Sequence, residues 1–147
     1  MTKIIKATAQ ELEPLSQLFN QYRIFYKMKS DPQAAKNFIL KRLEQQDSLI
    51  YQAINQQTIL GFVQIYPSFS SVAMRPIWVI NDLYVDVDAR NKKVASKLLE
   101  HVSQQAKKHH IFNLQLATAI DNHSAQALYT RLGYRLNSQF KHYSRRI

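Results

Sequence analysis

Hydrophobic and polar positions alternate along this chain in two different periods, and the changes of period mark its elements. Ile4 to Ala7 is a short apolar run of strand type. Thr8 and Glu11 then stand at capping-box spacing, and Leu12, Leu15, Leu18, Phe19, Tyr22 and Tyr26 recur as one face of a helix. Pro14 predicts either a kink in that helix or a late start to it. Asp31-Pro32 predicts a second helix start, a cap followed by a first-turn proline, with Ala34, Ala35, Phe38, Ile39 and Leu43 on its apolar side. Leu49 to Ile54 and Ile59 to Tyr66 are β-prone runs separated by Asn55-Gln56-Gln57, the pattern of an antiparallel hairpin. Ser68 to Arg75 is polar and reads as a loop or a frayed edge.

Ile77 to Val87 predicts a longer strand, interrupted at Asn81-Asp82 in a way that suits a bulge or a functional point. Val94 to Ala106 is amphipathic, with Val94, Leu98, Leu99, Val102 and Ala106 on one side. Ile111 to Thr118 predicts a strand and Ser124 to Leu132 a short helix closed by Gly133. Tyr134 to Tyr143 alternates weakly and is expected to form the last strand or strands. The strand–helix–strand unit from Ile77 to Thr118 requires a parallel crossover, whereas the hairpins require antiparallel neighbours. The expected fold class is therefore α/β with a mixed, twisted sheet and helices on both faces.

Composition narrows the chemistry. A chain of 147 residues, 46% apolar, suits a single domain with a substantial core, here read as residues 1–147. With no cysteine there is no thiol nucleophile, disulfide or cysteine-based zinc site. The five histidines form no metal pattern, so no metal is expected. No apolar run is long enough for a transmembrane helix and the first residues lack a signal-peptide core, so a soluble cytoplasmic protein is the expectation. The formal charge of +10 invites nucleic acid as a partner, but the basic residues are dispersed, and a phosphate-rich small molecule accounts for them as well.

Two segments carry candidate chemistry. From Asp82 to Ala95 a strand runs through a polar turn into a helix, whose first amides have no internal partners and whose dipole favours an anion. Arg90, Lys92 and Lys93 add positive charge there, and a pyrophosphate is the natural guest. The second segment, Asn122-His123-Ser124-Ala125-Gln126-Ala127-Leu128-Tyr129-Thr130-Arg131-Leu132-Gly133-Tyr134, resembles a hallmark of the GNAT family of N-acetyltransferases. That hallmark sets Asn, Ala and Tyr at fixed spacing before Leu-Gly-Phe/Tyr. Asp82-Leu83-Tyr84-Val85 with Arg90 is similar to the family's signature strand and phosphate turn. The turn departs from the pattern at Lys93, where the family has glycine, and keeps it at Ala95.

The resemblance implies a GNAT-like acyl-CoA N-acyltransferase fold with a splayed parallel strand pair. It implies acetyl-CoA bound along Leu83, Tyr84 and Val85, with Arg90, Asn91, Lys92, Lys93, Val94, Ala95 and Ser96 around its phosphates and Asn122 and Tyr129 beside it. It further implies direct transfer of acetyl to a primary amine, small-molecule or peptide, in a ternary complex. Tyr129 would be the general acid and Asp82, or a water, the base. Tyr22, Phe25, Tyr26, Tyr66, Phe69 and Asn81 would border the acceptor, and a homodimer is expected by analogy. A non-catalytic CoA-binding module and a basic nucleic-acid-binding protein stay open as alternatives.

Overall fold

The computed structural model describes residues 1–147 as two compact units, residues 1–117 and residues 118–147. In the first unit one five-stranded sheet has the order β1-β2-β3-β4-β5, from β1 (Thr2–Lys6), β2 (Leu49–Asn55), β3 (Thr58–Ser70), β4 (Arg75–Val85) and β5 (Asn113–Leu116). The first four strands pair antiparallel and β4 pairs parallel with β5. The parallel step is made across α3 (Val94–Lys108), the crossover expected from the sequence.

Local chemistry places the helices. The Thr8–Glu11 capping box forms, with the Thr8 amide and hydroxyl donating to Glu11 Oε2 at 2.7 and 2.8 Å, and it opens a 3₁₀ turn that leads into α1 (Leu12–Phe25). Pro14 falls in the first turn of α1, where the missing N–H costs nothing. Asp31 caps α2 (Pro32–Gln45), its Oδ1 accepting from the Ala34 amide at 3.1 Å. Leu15, Phe19, Ile39, Ile50 and Phe62 join α1, α2 and one sheet face in a continuous core. Burying each such side chain is worth about 1.5–3 kcal/mol. On the opposite face α3 buries Leu98, Leu99 and Val102, and its His101 ring meets Tyr51 of β2 edge-on at 4.8 Å.

The register of β3 against β4 contains the irregularity that matters most. Gln64 pairs with Asp82 but Ile65 pairs with Ile80, so Asn81 is an extra residue in β4. It is a β-bulge at the place where the apolar run is interrupted. Gly61 faces Val85 in the same ladder, and a Cβ there would lie 2.8 Å from the Tyr84 carbonyl oxygen, so only glycine lets the strands approach.

Of residues 68–75, read as a loop or a frayed edge, Ser68 to Ser70 end β3 and Arg75 begins β4, and backbone pairing such as Phe69 with Pro76 continues the hairpin past its apolar part. Two sequence expectations are corrected. The strand expected over Ile111 to Thr118 is confined to Asn113–Leu116, since parallel pairing with β4 spans only Ile77 to Ile80. Tyr134 to Tyr143 forms no strand, and Leu136, Phe140 and Tyr143 are exposed there. Weak alternation defines a strand only where a ladder partner is present. In the second unit α4 (His123–Arg131) forms as expected, and Gly133 adopts φ +91° just beyond it.

Candidate active site

The bulge directs Asp82 to the α1–α2 side of the sheet, where it lies only 6% exposed with no cation paired to it. Gln64 Nε2 donates to its Oδ2 at 2.7 Å and Asn81 Nδ2 to its Oδ1 at 3.1 Å. Gln64 is itself fixed by the Ser48 hydroxyl, which donates to its Oε1 at 2.9 Å. Burial, and then the charge of Asp82 and a hydrogen bond to it, push the Tyr22 hydroxyl far above its ordinary pKa. Tyr66 is raised by burial first and by Asp82 second. Both tyrosines therefore keep their O–H at neutral pH and stand beside a carboxyl group whose orientation is set by two amides and a phenol.

A cavity of about 340 Å³ opens on this carboxylate, lined by Phe19, Tyr22, Arg23, Ala34, Ala35, Phe38, Tyr66 and Asp82. Its walls are mutually packed: Phe19 stacks on Phe38 at 5.5 Å, and Tyr22 meets Tyr26 edge-on at 5.1 Å. A second hollow of about 450 Å³ at the C-terminal end of α2 includes Arg42, already paired with Asp47 at 2.8 Å, and presents no such unpaired buried charge.

Beyond Ile80 no strand pairs with β4 on the β5 side, although β4 itself continues to Val85. Leu83 and Val85 thus lie on a strand flanked only by β3 through Val63 and Gly61. The chain then turns through a 3₁₀ segment, Val87–Ala89, into α3. Lys93 occupies the N-cap of α3 in the left-handed region, φ 61°, and no side chain caps the amides that follow. The conformation that glycine would supply is therefore adopted by lysine, and Asn91 is left-handed as well at φ 62°. Arg90, Asn91, Lys92 and Lys93 are all exposed, whereas Val94 is buried and Ala95 and Ser96 are half-buried. Arg90 lies over the rings of Phe25 and Tyr84, 5.7 and 5.6 Å away, and its Nε donates to the Val85 carbonyl at 3.3 Å. An aromatic platform thus holds one cation beside an open helix N-terminus.

The remaining sequence candidates fall as follows. Tyr22, Tyr66, Asn81 and Asp82 converge. Tyr26 touches the group through Tyr22, and Phe69 stands apart at 79% exposure, outside the cavity lining. In the second unit Asn122 caps α4, its Oδ1 accepting from the Ala125 amide at 3.2 Å, and Tyr129 packs its ring against Tyr134 at 6.1 Å. Sequence reasoning missed Ser48, Gln64, Arg23 and Phe38. Gln64 had a signal, a lone amide within the apolar run Phe62-Val63-Gln64-Ile65; Ser48 and Arg23 had none, since each is brought to the site only by packing.

Residues 12–134 match the family model described as the acetyltransferase (GNAT) family. The chain belongs to the GNAT family. Over 140 residues it is 39% identical to the uncharacterized N-acetyltransferase YhfO of Bacillus subtilis (strain 168), covering 95% of this chain and 94% of that one. It is 28% identical over 137 residues to a D-amino-acid N-acetyltransferase of Saccharomyces cerevisiae, covering 90% and 84% of the two chains. Among solved structures it resembles that of a probable acetyltransferase with a TM-score of 0.92 and 40% identity, covering 99% of this chain and 97% of the other. This GNAT protein is accordingly an enzyme, an N-acetyltransferase whose acceptors are amines. None of its helices is long and apolar enough to cross a membrane.

Proposed function

We propose that residues 1–147 act as one N-acetyltransferase domain that takes acetyl from acetyl-CoA to a primary amine by direct attack in a ternary complex. The observation that carries this reading is the end of β4: the strand loses its parallel partner after Ile80 and presents Asp82 immediately beyond. The chain's own groups fit the cofactor. Backbone groups from Asn81 to Val85 have no ladder partner on the β5 side and suit the amides of a pantetheine arm, by strand-like pairing. The uncapped start of α3 with Arg90, Lys92 and Lys93 suits a diphosphate.

Bound acetyl-CoA supplies an activated acyl carbonyl and a thiolate leaving group. A backbone N–H of Leu83 or Val85 donates to the carbonyl oxygen as charge grows on it. Asp82 draws the ammonium of the acceptor into the cavity and takes a proton from it, directly or through a water that Asn81 orients, so that the nitrogen attacks as a free amine. Tyr129, assigned by the family's motif, donates its phenolic proton to the departing sulfur. A thiol pKa of about 8.5 against about 10 for tyrosine makes that transfer modestly uphill. A cytoplasmic setting and a homodimer are proposed on the cysteine-free sequence and on analogy respectively. One relative's name specifies a D-amino acid; for this chain the acceptor is a question for the charges of its own cavity.

The test is a thiol-release assay over a panel of primary amines, with calorimetry for acetyl-CoA. Tyr129→Phe is expected to lower kcat by about 100-fold or more while acetyl-CoA still binds. Full turnover in that variant would end the general-acid role, and failure of the native chain to bind acetyl-CoA would end the whole reading.

A further inference from the structure

The cavity in front of Asp82 also contains a cation, and the two charges are held apart rather than paired. Arg23 lines the same cavity from α1 and forms no ion pair with any carboxylate of the protein. Its guanidinium is anchored through one nitrogen only: Nη1 donates to the Lys29 carbonyl at 3.2 Å and, more weakly, to Asn20 Oδ1 at 3.5 Å. That leaves Nε and Nη2, two donors side by side, without a protein acceptor. A guanidinium edge of this kind matches a carboxylate in two-point geometry.

The anchor is itself built. Asn20 is buried, accepts the Asp31 amide on its Oδ1 at 3.0 Å and donates from Nδ2 to Ser30 Oγ at 3.0 Å. The turn between α1 and α2 is thereby tied down, and with it the Lys29 carbonyl that holds Arg23. At the other end Asp82 has been taken out of water with no protein cation to compensate it, an arrangement that is costly unless a cation arrives. Between the two ends the walls are apolar: Phe19, Ala35, Phe38 and the ring of Tyr22.

From these features we infer that the acceptor is a small amino acid, its ammonium held by Asp82, its carboxylate by Arg23 and an apolar side chain by the aromatic wall. This rests on the transferase reading above and goes further by fixing the acceptor's second charge. A cavity of about 340 Å³ is at the lower end of the range for small-molecule sites, about 300–1,000 Å³, which agrees with an acceptor of this size. A polyamine would set a second cation against Arg23, and a plain amine would leave the guanidinium unanswered.

The experiment compares both enantiomers of leucine with 3-methylbutylamine, which lacks only the carboxylate, and with leucine methyl ester, which masks it. Thiol release is measured at saturating acetyl-CoA, and acetyl-CoA binding is measured separately. One enantiomer of leucine is expected to exceed both uncharged analogues by about 20-fold or more in kcat/KM, the scale of a charge-assisted pair. Arg23→Gln should collapse that ratio toward one, mainly through KM, and Arg23→Lys should restore part of it. Acetylation of 3-methylbutylamine as efficient as that of leucine would overturn the inference and leave the transferase reading intact. So would acetyl-CoA binding and turnover of other amines with no turnover of either leucine. Absence of acetyl-CoA binding would overturn both.

Discussion

A buried polar atom has to be answered by a partner, and two glutamines of this sheet show opposite outcomes. Gln64, fully buried, is satisfied at both ends, accepting from Ser48 and donating to Asp82, and so converts a strand position into an orienting group for a carboxylate. Gln52, equally buried one strand away, has neither its Nε2 nor its Oε1 bonded. It lies opposite Phe62 in the ladder, inside the core that joins the sheet to α1. An unmet buried amide costs about 1–3 kcal/mol. Gln52→Met, which keeps length and volume, is therefore expected to raise the free energy of unfolding by about 1 kcal/mol, read from denaturant titration with an unchanged slope. A destabilised variant would mean that the amide has a partner in solution.

At the level of elements, the start of α3 holds two left-handed residues within three positions. Lys93 and Asn91 both hold positive φ, and for a lysine this costs roughly 1–2 kcal/mol, against roughly 0.5–1 kcal/mol for the entropy glycine loses on folding. Lys93→Gly should thus stabilise the fold by about 0.5–1 kcal/mol in thermal unfolding, while the salt dependence of acetyl-CoA binding becomes shallower for want of one cation. A steeper salt dependence in the variant would exclude Lys93 from the phosphate corner. The helices were legible because their signals are local: Thr8 with Glu11, Asp31 before Pro32 and Gly133 after Leu132 each act within a few residues. The bulge at Asn81 was legible as a break in an apolar run. The extent of β3 beyond Tyr66, the shortness of β5 and the absence of a strand after Tyr134 were not, because strand ends depend on partners remote in sequence. For the same reason Asp82 could be singled out from its position on the signature strand, whereas Arg23 and Ser48 could not.

For the molecule as a whole, acid stability can be read at one histidine of a chain whose formal charge is already +10. His101 on α3 is held below its ordinary value of 6.5, first by burial and then by Lys108. Its folded pKa is lower than its unfolded one, so the unfolded chain binds more protons below 6.5, and this contribution to stability, present above that pH, is lost as the pH falls. His101→Gln should flatten the fall in melting temperature between about pH 7 and about pH 5. An unaltered slope would assign the acid sensitivity elsewhere. The same global view gives the single insertion in β4 its weight. Side chains on a strand follow a two-residue frame, and Asn81 shifts that frame once, between the half of β4 that packs and the half that presents Asp82. Drawn into the ladder opposite Gln64, Asn81 would take the place of Asp82 and the original frame would resume: Asp82 would pass to the side occupied by α3, and a carboxylate would be set on the face that packs. In this chain, therefore, it is the parity of a strand, more than the identity of any residue along it, that separates a reactive surface from a structural one.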